Sequence, residues 1–590
     1  MTFGAVTRDI RNPWYDPSYA NLYEWMNRIR MPDGSSPAIH DSPIGFGTSI
    51  ASLSGNSRFN IPNPPYPPTD VMWRTQYIAT NVGEGSFSDT LFRALPEAGS
   101  LVFRSSNEPD AVFMHFIGKH GIPLSGAKAH HQGDAGSFSL MANGELLAVD
   151  PGYPGYQESY AVNTASNHSL TLVNGSGPLP PIGELVNVET NTCWIEHFFD
   201  TPQLDYGEVR TAYFGADIIR KNLFIRDRYF ILADFLTSSN PNTYTFQLQG
   251  NGLFGGAAGT PEGAFVPDFA NHQGTYSRDS THLLVHTIAT GGATNYAYAL
   301  DSLATGTSQY RHYSKMLVRK DSVVNTGFLS VLFPFTNTQP DVSTLAAAPA
   351  VNAIRVTDGN FDDLAFSQQD TGLLFIPASV SGLTGNVSGN GTINQVGFRY
   401  GSARTFFLEN GDSIMVGLQL YIKADHRIDV AYEQTNALLH QGYVSDAGWV
   451  GFQTANLAHF IPTSGNILDF GYDYYNGLLL VLFGGPSYFT LEYSTGSACQ
   501  NEGNQKPDLR IRSTGNSTYE LIFQNDHATM GILSVHSISG QNLSTDRISI
   551  HPGLNHLPLD LSGAADGLYL ITVTTSTGNK TVKALLQCQE

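Results

Sequence analysis

Short runs of alternating or continuous apolar residues, broken by Gly, Asn, Asp and Pro, fill the chain from about residue 99 to 500. SLVFRS, AVFMHFI, SFSLMA, LLAVD, SLTLVNG, KNLFIRDRYFILADFL, FLSVLFPF, GLLFIPA and LLLVLFGG are the plainest of them. Runs of this length between turn residues predict antiparallel strands in sheets stacked face to face. Roughly 400 residues exceed one ordinary sandwich, so the pattern predicts a large multi-sheet super-sandwich or two sandwiches. A helical period occurs near the start, where Tyr19, Leu22, Trp25, Met26 and Ile29 form one apolar stripe. The turn chemistry of MPDGSSP closes that segment, and IPNPPYPPTD (61–70) reads as an extended linker. After the polar junction STGSACQNEGNQKPD, a last group of short strands (STYELIFQ, MGILSVHS, RISI, LNHLPLDL, GLYLITVTT, KTVKALLQ) predicts a small separate sandwich. The expectation is a mostly β chain with a short N-terminal helical segment over 1–70, a large sandwich over 71–500 and a small one over 508–590.

Composition narrows the function classes. With 41% hydrophobic and 14% charged residues the chain has material for large cores and is neither a coiled coil nor a charge-rich disordered chain. The net charge of −20 opposes nucleic-acid binding, which needs a basic footprint. An acidic polymer would have to be met by a local cationic patch against that overall field. Three cysteines (Cys193, Cys499, Cys588) are too few and too scattered for a disulfide scaffold or a zinc ribbon. No long apolar run predicts a membrane span, and MTFGAVTRDIRNPWYDP lacks the pattern of a secretory signal.

The densest polar cluster spans 128–169. It contains His130, His131, Gln132, Asp134, Asp150, Tyr153, Tyr156, Tyr160 and His168 on successive short strands. Imidazoles, carboxylates and phenols are the groups that move protons or hold metals. They also serve as hydrogen-bonded structural residues, so the residue types alone leave both readings open.

GAKAHHQGDAGSFSLMANGELLAVDPGYPGY followed by NHSLTLVNG resembles the sandwich signature of the heparinase II/III-like polysaccharide lyases. RKNLFIRDRYFILADFL is similar to that family's arginine-led strand pair ending in Asp. MPDGSSPAIHDSP resembles the end of its helical toroid, and PEAGSLVFRS its first sandwich strand. The resemblance implies a catalytic histidine at His130, four before Asp134, and a tyrosine near the sugar at Tyr160, with Tyr153 and Tyr156 as competing substrate contacts. It implies a metal, usually zinc, on the positions of Gln132, Asp150 and His168. The family has histidine where this chain has Gln132, and an amide oxygen is a poorer zinc ligand. Three alternatives follow: His131 turns in, a harder cation such as calcium is held through carbonyl oxygens, or no metal binds.

The reaction implied is β-elimination on a uronic-acid-containing polysaccharide, alginate-like or glycosaminoglycan-like. The family's toroid supplies further catalytic groups, and the stretch before the sandwich is short for one. The chain is therefore expected to be a fragment or a member without its toroid, and the alternative function is a non-catalytic glycan-binding or vestigial module. Tyr23 and His40 lie in the short stretch and read as packing or loop residues; Lys119, Lys128 and Arg104 are candidates to meet acidic sugars, although for any one of them a solvated surface position is the commoner reading. The tail GILSVHSISGQNLSTDRISIHPGLNHLPLDLSGAADGLYLITVTTSTGNKTVKALLQ is similar to type IX secretion sorting domains, which implies a secreted or cell-surface protein.

Overall fold

The computed structural model describes Trp25, residues 28–44, 91–155, 162–494 apart from 184, 226, 370, 371, 373, 400–402, 455, 456, 474 and 475, and 509–586 with short interruptions. Most of the expected helix at 19–29, the linker at 61–70, Tyr156 and Tyr160 lie outside the described residues. The fold is mostly β and antiparallel, as the alternation predicts. The chain falls into two compact units, Met1–Asp370 and Thr371–Glu590.

The first unit is built on two facing sheets. One has five strands in sequence order: β1 (Arg93–Leu95), β2 (Ser100–Arg104), β3 (Phe113–Ile117), β4 (Phe138–Ala142) and β5 (Glu145–Ala148). The other has eleven: β6 (Thr171–Val173), β7 (Cys193–Asp200), β8 (Leu204–Tyr213), β9 (Ala216–Ile225), β10 (Tyr229–Leu248), β11 (Leu253–Phe254), β12 (Ala264–Asp268), β13 (Gln273–Arg278), β14 (Thr281–Ala289), β15 (Asn295–Gly306) and β16 (Gln309–Phe335). Its main path runs β11-β12-β13-β14-β16-β10-β9-β8-β7, with β15 on β16 and β6 on β10. Alternate residues of β2 and β3 (Leu101, Phe103, Met114, Phe116) meet Phe224, Phe230 and Phe246 of the large sheet in one core.

The opposite face of the five-stranded sheet is also covered. Ile29 and Met31 pack on Val102, Phe113 and Met141, and Arg104 donates to the Arg30 carbonyl. This explains why β2 and β3 are buried at every position and read as continuous apolar runs. The covering segment then carries His40 and Asp41 to the end of the sheet where the His130–Asp134 turn lies. Gly99, at φ +71°, closes the turn before β2; a Cβ there would sit 2.6 Å from Lys119 Cγ. Three further antiparallel strands, Asp341–Thr344, Val351–Thr357 and Phe361–Gln368, complete the unit.

In the second unit the long antiparallel pair Arg404–Val416 and Gln419–Gln434 anchors a sheet whose core includes Phe406, Tyr432 and Phe452. Its last strands form a three-stranded and a four-stranded sheet that share their own core of Leu521, Phe523, Val535, Ile571 and Val573.

Candidate functional site

The turn between β3 and β4 is held from both sheets. The Arg220 guanidinium, on β9, donates to the Gly136 and Ser169 carbonyls at 2.9 Å and clasps Asp234 of β10 with two bonds of 2.7 Å. These two residues are the ends of the arginine-led strand pair, brought opposite each other by the β9–β10 register. Ser137 Oγ accepts from the Ser169 amide, so the Asp134 turn and the His168 loop are fixed together. Gln247 and Gln249, at the end of β10, donate to the His168 carbonyl from the other side.

The sequence-predicted residues separate into an exposed part and a buried part. His130 is exposed (its side chain is 68% accessible), and its Nδ1 lies 2.7 Å from Asp41 Oδ2. With the carboxylate accepting, the proton between them sits on Nδ1, and this contact orients the ring. Gln132 is buried and donates from Nε2 to the His40 carbonyl at 2.7 Å. Asp150 and His168, 18 residues apart, meet at 3.0 Å through Oδ2 and Nδ1, both buried. Tyr153 is half-buried on the loop after Asp150. That loop is tied to the β15–β16 hairpin by backbone bonds from Ala304 to Pro151 and from Ser308 to Pro154.

Three residues of the site escape the sequence reading. Lys119 is buried, not solvated; its Nζ lies 3.7 Å from Asp134 Oδ2 and 3.5 Å from His40 Nδ1. Arg104 is likewise buried, whereas Lys128 is exposed. His40 stands edge-on to His131 with ring centroids 5.7 Å apart, and Asp41 reaches His130. The phrase AIHDSP was the available signal, but nothing in it gives the long-range partner.

Burial governs the electrostatics here. It lowers the pKa of His40 to about 2, helped by Lys119, and keeps the ring neutral. Burial lowers Lys119 too, with Asp134 pulling the other way. For Asp134 burial acts upward, but Lys119, His131 and His168 outweigh it and bring the carboxyl down to about 2. His168 is raised: burial opposes the imidazolium, and Asp150, Asp134 and Asp301 overcome it.

The surplus negative charge around His168 can be met by a proton or by a cation on Nε2. Gln132 Oε1 and His168 Nε2 are buried with no hydrogen-bond partner. An amide oxygen and an imidazole nitrogen are each groups that ligate divalent cations, the oxygen suiting a hard ion such as calcium and the nitrogen one such as zinc. His131 Nε2 lies 3.9 Å from Asp134 Oδ1, beyond hydrogen-bonding range. Among the described residues a separate group, Glu196, His197 and Glu208, gathers its ligand atoms within 4.8 Å, but Glu208 already lies 3.8 Å from Lys221 Nζ.

Beside this cluster a cavity of about 360 Å³ opens between the 25–42 segment and β2, lined by Trp25, Ile39, His40, Ser100, Lys119 and Pro123. Its cationic group is Lys119, and Ser100 Oγ is 3.1 Å from the buried His115. Cys193, the free cysteine among the described residues, is buried and its thiol is pushed up to about 12, which leaves it inert.

No protein-family model matches the chain, and no curated protein matches it. Among solved structures, the heparinase III BT4657 gene product is 15% identical at a TM-score of 0.45, over 65% of this chain and 53% of that one. The heparan sulfate lyase HepC from Pedobacter heparinus is 16% identical at 0.44, over 58% and 51%. A further heparinase III structure is 14% identical at 0.45, over 64% and 54%. The chain thus spans about half the length of each of these similar structures.

Proposed function

We propose that this chain is a polysaccharide lyase, or the sandwich portion of one, that cleaves a uronic-acid-containing polymer by β-elimination. The observation that supports this most is the exposed His130 imidazole with Asp41 at its Nδ1, on the same short segment whose His40 reaches Lys119. A base oriented by a carboxylate is the arrangement general-base catalysis needs. In the proposed step His130 Nε2 takes the C5 proton of the uronate. The C–H electrons form the C4=C5 bond, the C4–O4 bond breaks, and O4 leaves with a proton from an acid. Tyr160, outside the described residues, is the sequence-based candidate for the hydroxyl near the sugar, with Tyr153 and Tyr156 as contacts. The C5 proton is weakly acidic, so the uronate charge must be neutralised by fixed positive groups. Lys119, the cation lining the adjoining cavity, supports that role.

Gln132, Asp150 and His168 would hold a cation that braces the 130–134 turn against the 150 and 168 loops. When bound, it would supply positional rigidity and local positive charge. The same reading treats 1–70 as the end of a toroid, 71–500 as the lyase sandwich, and 508–590 as a type IX sorting module on a secreted or cell-surface protein. Its residues Val535 to Gly540, Asp566 to Tyr569 and Lys583 carry that assignment. Among the described residues no helix is long and apolar enough to cross a membrane.

Incubation with alginate, heparan sulfate and other polyuronates tests the reading by the absorbance of unsaturated ends. Saturable glycan binding without product, equal in His130→Ala, would instead identify a non-catalytic binding module.

A further inference from the structure

The backbone that carries Lys119 also builds a second feature. The Cys193 amide donates to the Lys119 carbonyl at 2.8 Å, which lays residue 120 beside residue 194 of β7. There the imidazole of His120 stacks on the indole of Trp194, with centroids 3.8 Å apart and planes at 29°. Strand alternation sends Cys193 and Ile195 into the core and Trp194 outward, where it remains 45% exposed. A large indole left outside a filled core and braced flat by a second ring is a rigid apolar plate. The His120 Nδ1 beneath it is buried without a hydrogen-bond partner.

The residue directly opposite Trp194 in the β7–β8 register is Arg210, exposed and on the same face. Further along that face, Glu196 and Glu208 lie opposite each other, and Glu208 is within 3.8 Å of Lys221. Flat aromatic rings receive the apolar face of a sugar ring, and a guanidinium receives carboxylate or sulfate in a two-pronged fashion. The plate sits at the edge that bears the cavity: His120 follows Lys119 and precedes Pro123, and both line it.

We propose that Trp194, backed by His120 and flanked by Arg210, forms an outer subsite that stacks one sugar of an acidic glycan and binds its carboxylate or sulfate. The assignment rests on the lyase reading for its ligand class and adds three residues, Trp194, His120 and Arg210, outside the reacting centre.

The test uses the full chain in the uncleaving His130→Ala background, with heparan sulfate and alginate hexasaccharides as probes and calorimetry as readout. Trp194→Ala should weaken binding about tenfold, the scale of one stacked aromatic contact, and Trp194→Phe should recover most of it. Arg210→Gln should weaken binding at low salt and match its parent near 1 M salt, where exposed charges are screened. Melting curves matching the parent's confirm that the variants fold. Unchanged affinity in both Trp194→Ala and Arg210→Gln, or no binding of either probe by the parent, overturns the subsite. Turnover separates the two ideas. Trp194-dependent binding with no unsaturated product from the native chain sinks the lyase reading and keeps the subsite. Product with unchanged KM in Trp194→Ala does the reverse.

Discussion

At the scale of single residues, the site depends on charges whose partners lie far away in the chain. Arg220 and Asp234 are both buried and bind each other at two points. Arg220→Met would leave Asp234 as an uncompensated buried charge and release two carbonyls at the His130–His168 end. We expect a loss of about 3–5 kcal/mol of stability, measured by urea unfolding, with much of it restored in Arg220→Met/Asp234→Asn. The strand pair that carries these two residues was legible through the resemblance, but their ion pair was not read. The Asp150–His168 contact was legible through the resemblance. Lys119, His40 and Asp41 were not. Their partners are 15 or more residues away, up to 92 for Gln132 to His40, and no local period encodes such a contact. Lys119 was misread because a lone Lys is nearly always solvated, and only the enclosed Asp134 reverses that.

At the scale of elements, strands were readable because each needs only its own alternation, and the turn residues marked their ends. The covering of the five-stranded sheet by residues 29–41 was hidden, because it depends on which of two apolar faces another segment chooses. On the other face, in the core between the two sheets, Gly250 bridges to Ala148, and a Cβ there would lie 2.1 Å from the Tyr276 ring. Gly250→Ala should therefore cost about 1–3 kcal/mol by overpacking, visible as a lower midpoint in denaturant. In the β13–β14 pair, His286 is buried between Gln273 and Thr344, and burial, helped by His272, lowers it to about 4. The folded chain holds this ring neutral while the unfolded chain protonates it near 6.5. Its stabilisation is therefore complete above pH 6.5 and is lost as pH falls toward 4, by about 3 kcal/mol. His286→Gln should flatten that part of the stability–pH curve; an identical slope would refute the assignment.

At the scale of the whole molecule, the last strands of the second unit close on a core of their own. The sheets after residue 509 bury Leu521, Val535 and Ile571 against one another, so a chain ending at Ser494 should keep the melting transition of the rest. The same shortened chain should cleave any substrate the full chain cleaves, since the candidate site lies wholly before residue 370. A bound cation would show as metal in stoichiometric amount by elemental analysis, and its chelation should lower the melting temperature of the first unit. Gln132→Ala should abolish that shift while leaving the tail unaffected. The central claim is that His130, oriented by Asp41, removes a proton from a uronate. It is tested most directly by following unsaturated-end absorbance of native chain and His130→Ala on a panel of polyuronates. The account predicts product on at least one polymer and a loss of about 10²–10⁴-fold in the variant with an unchanged melting curve. No product from the native chain on any polymer, or equal rates in the variant, would contradict it.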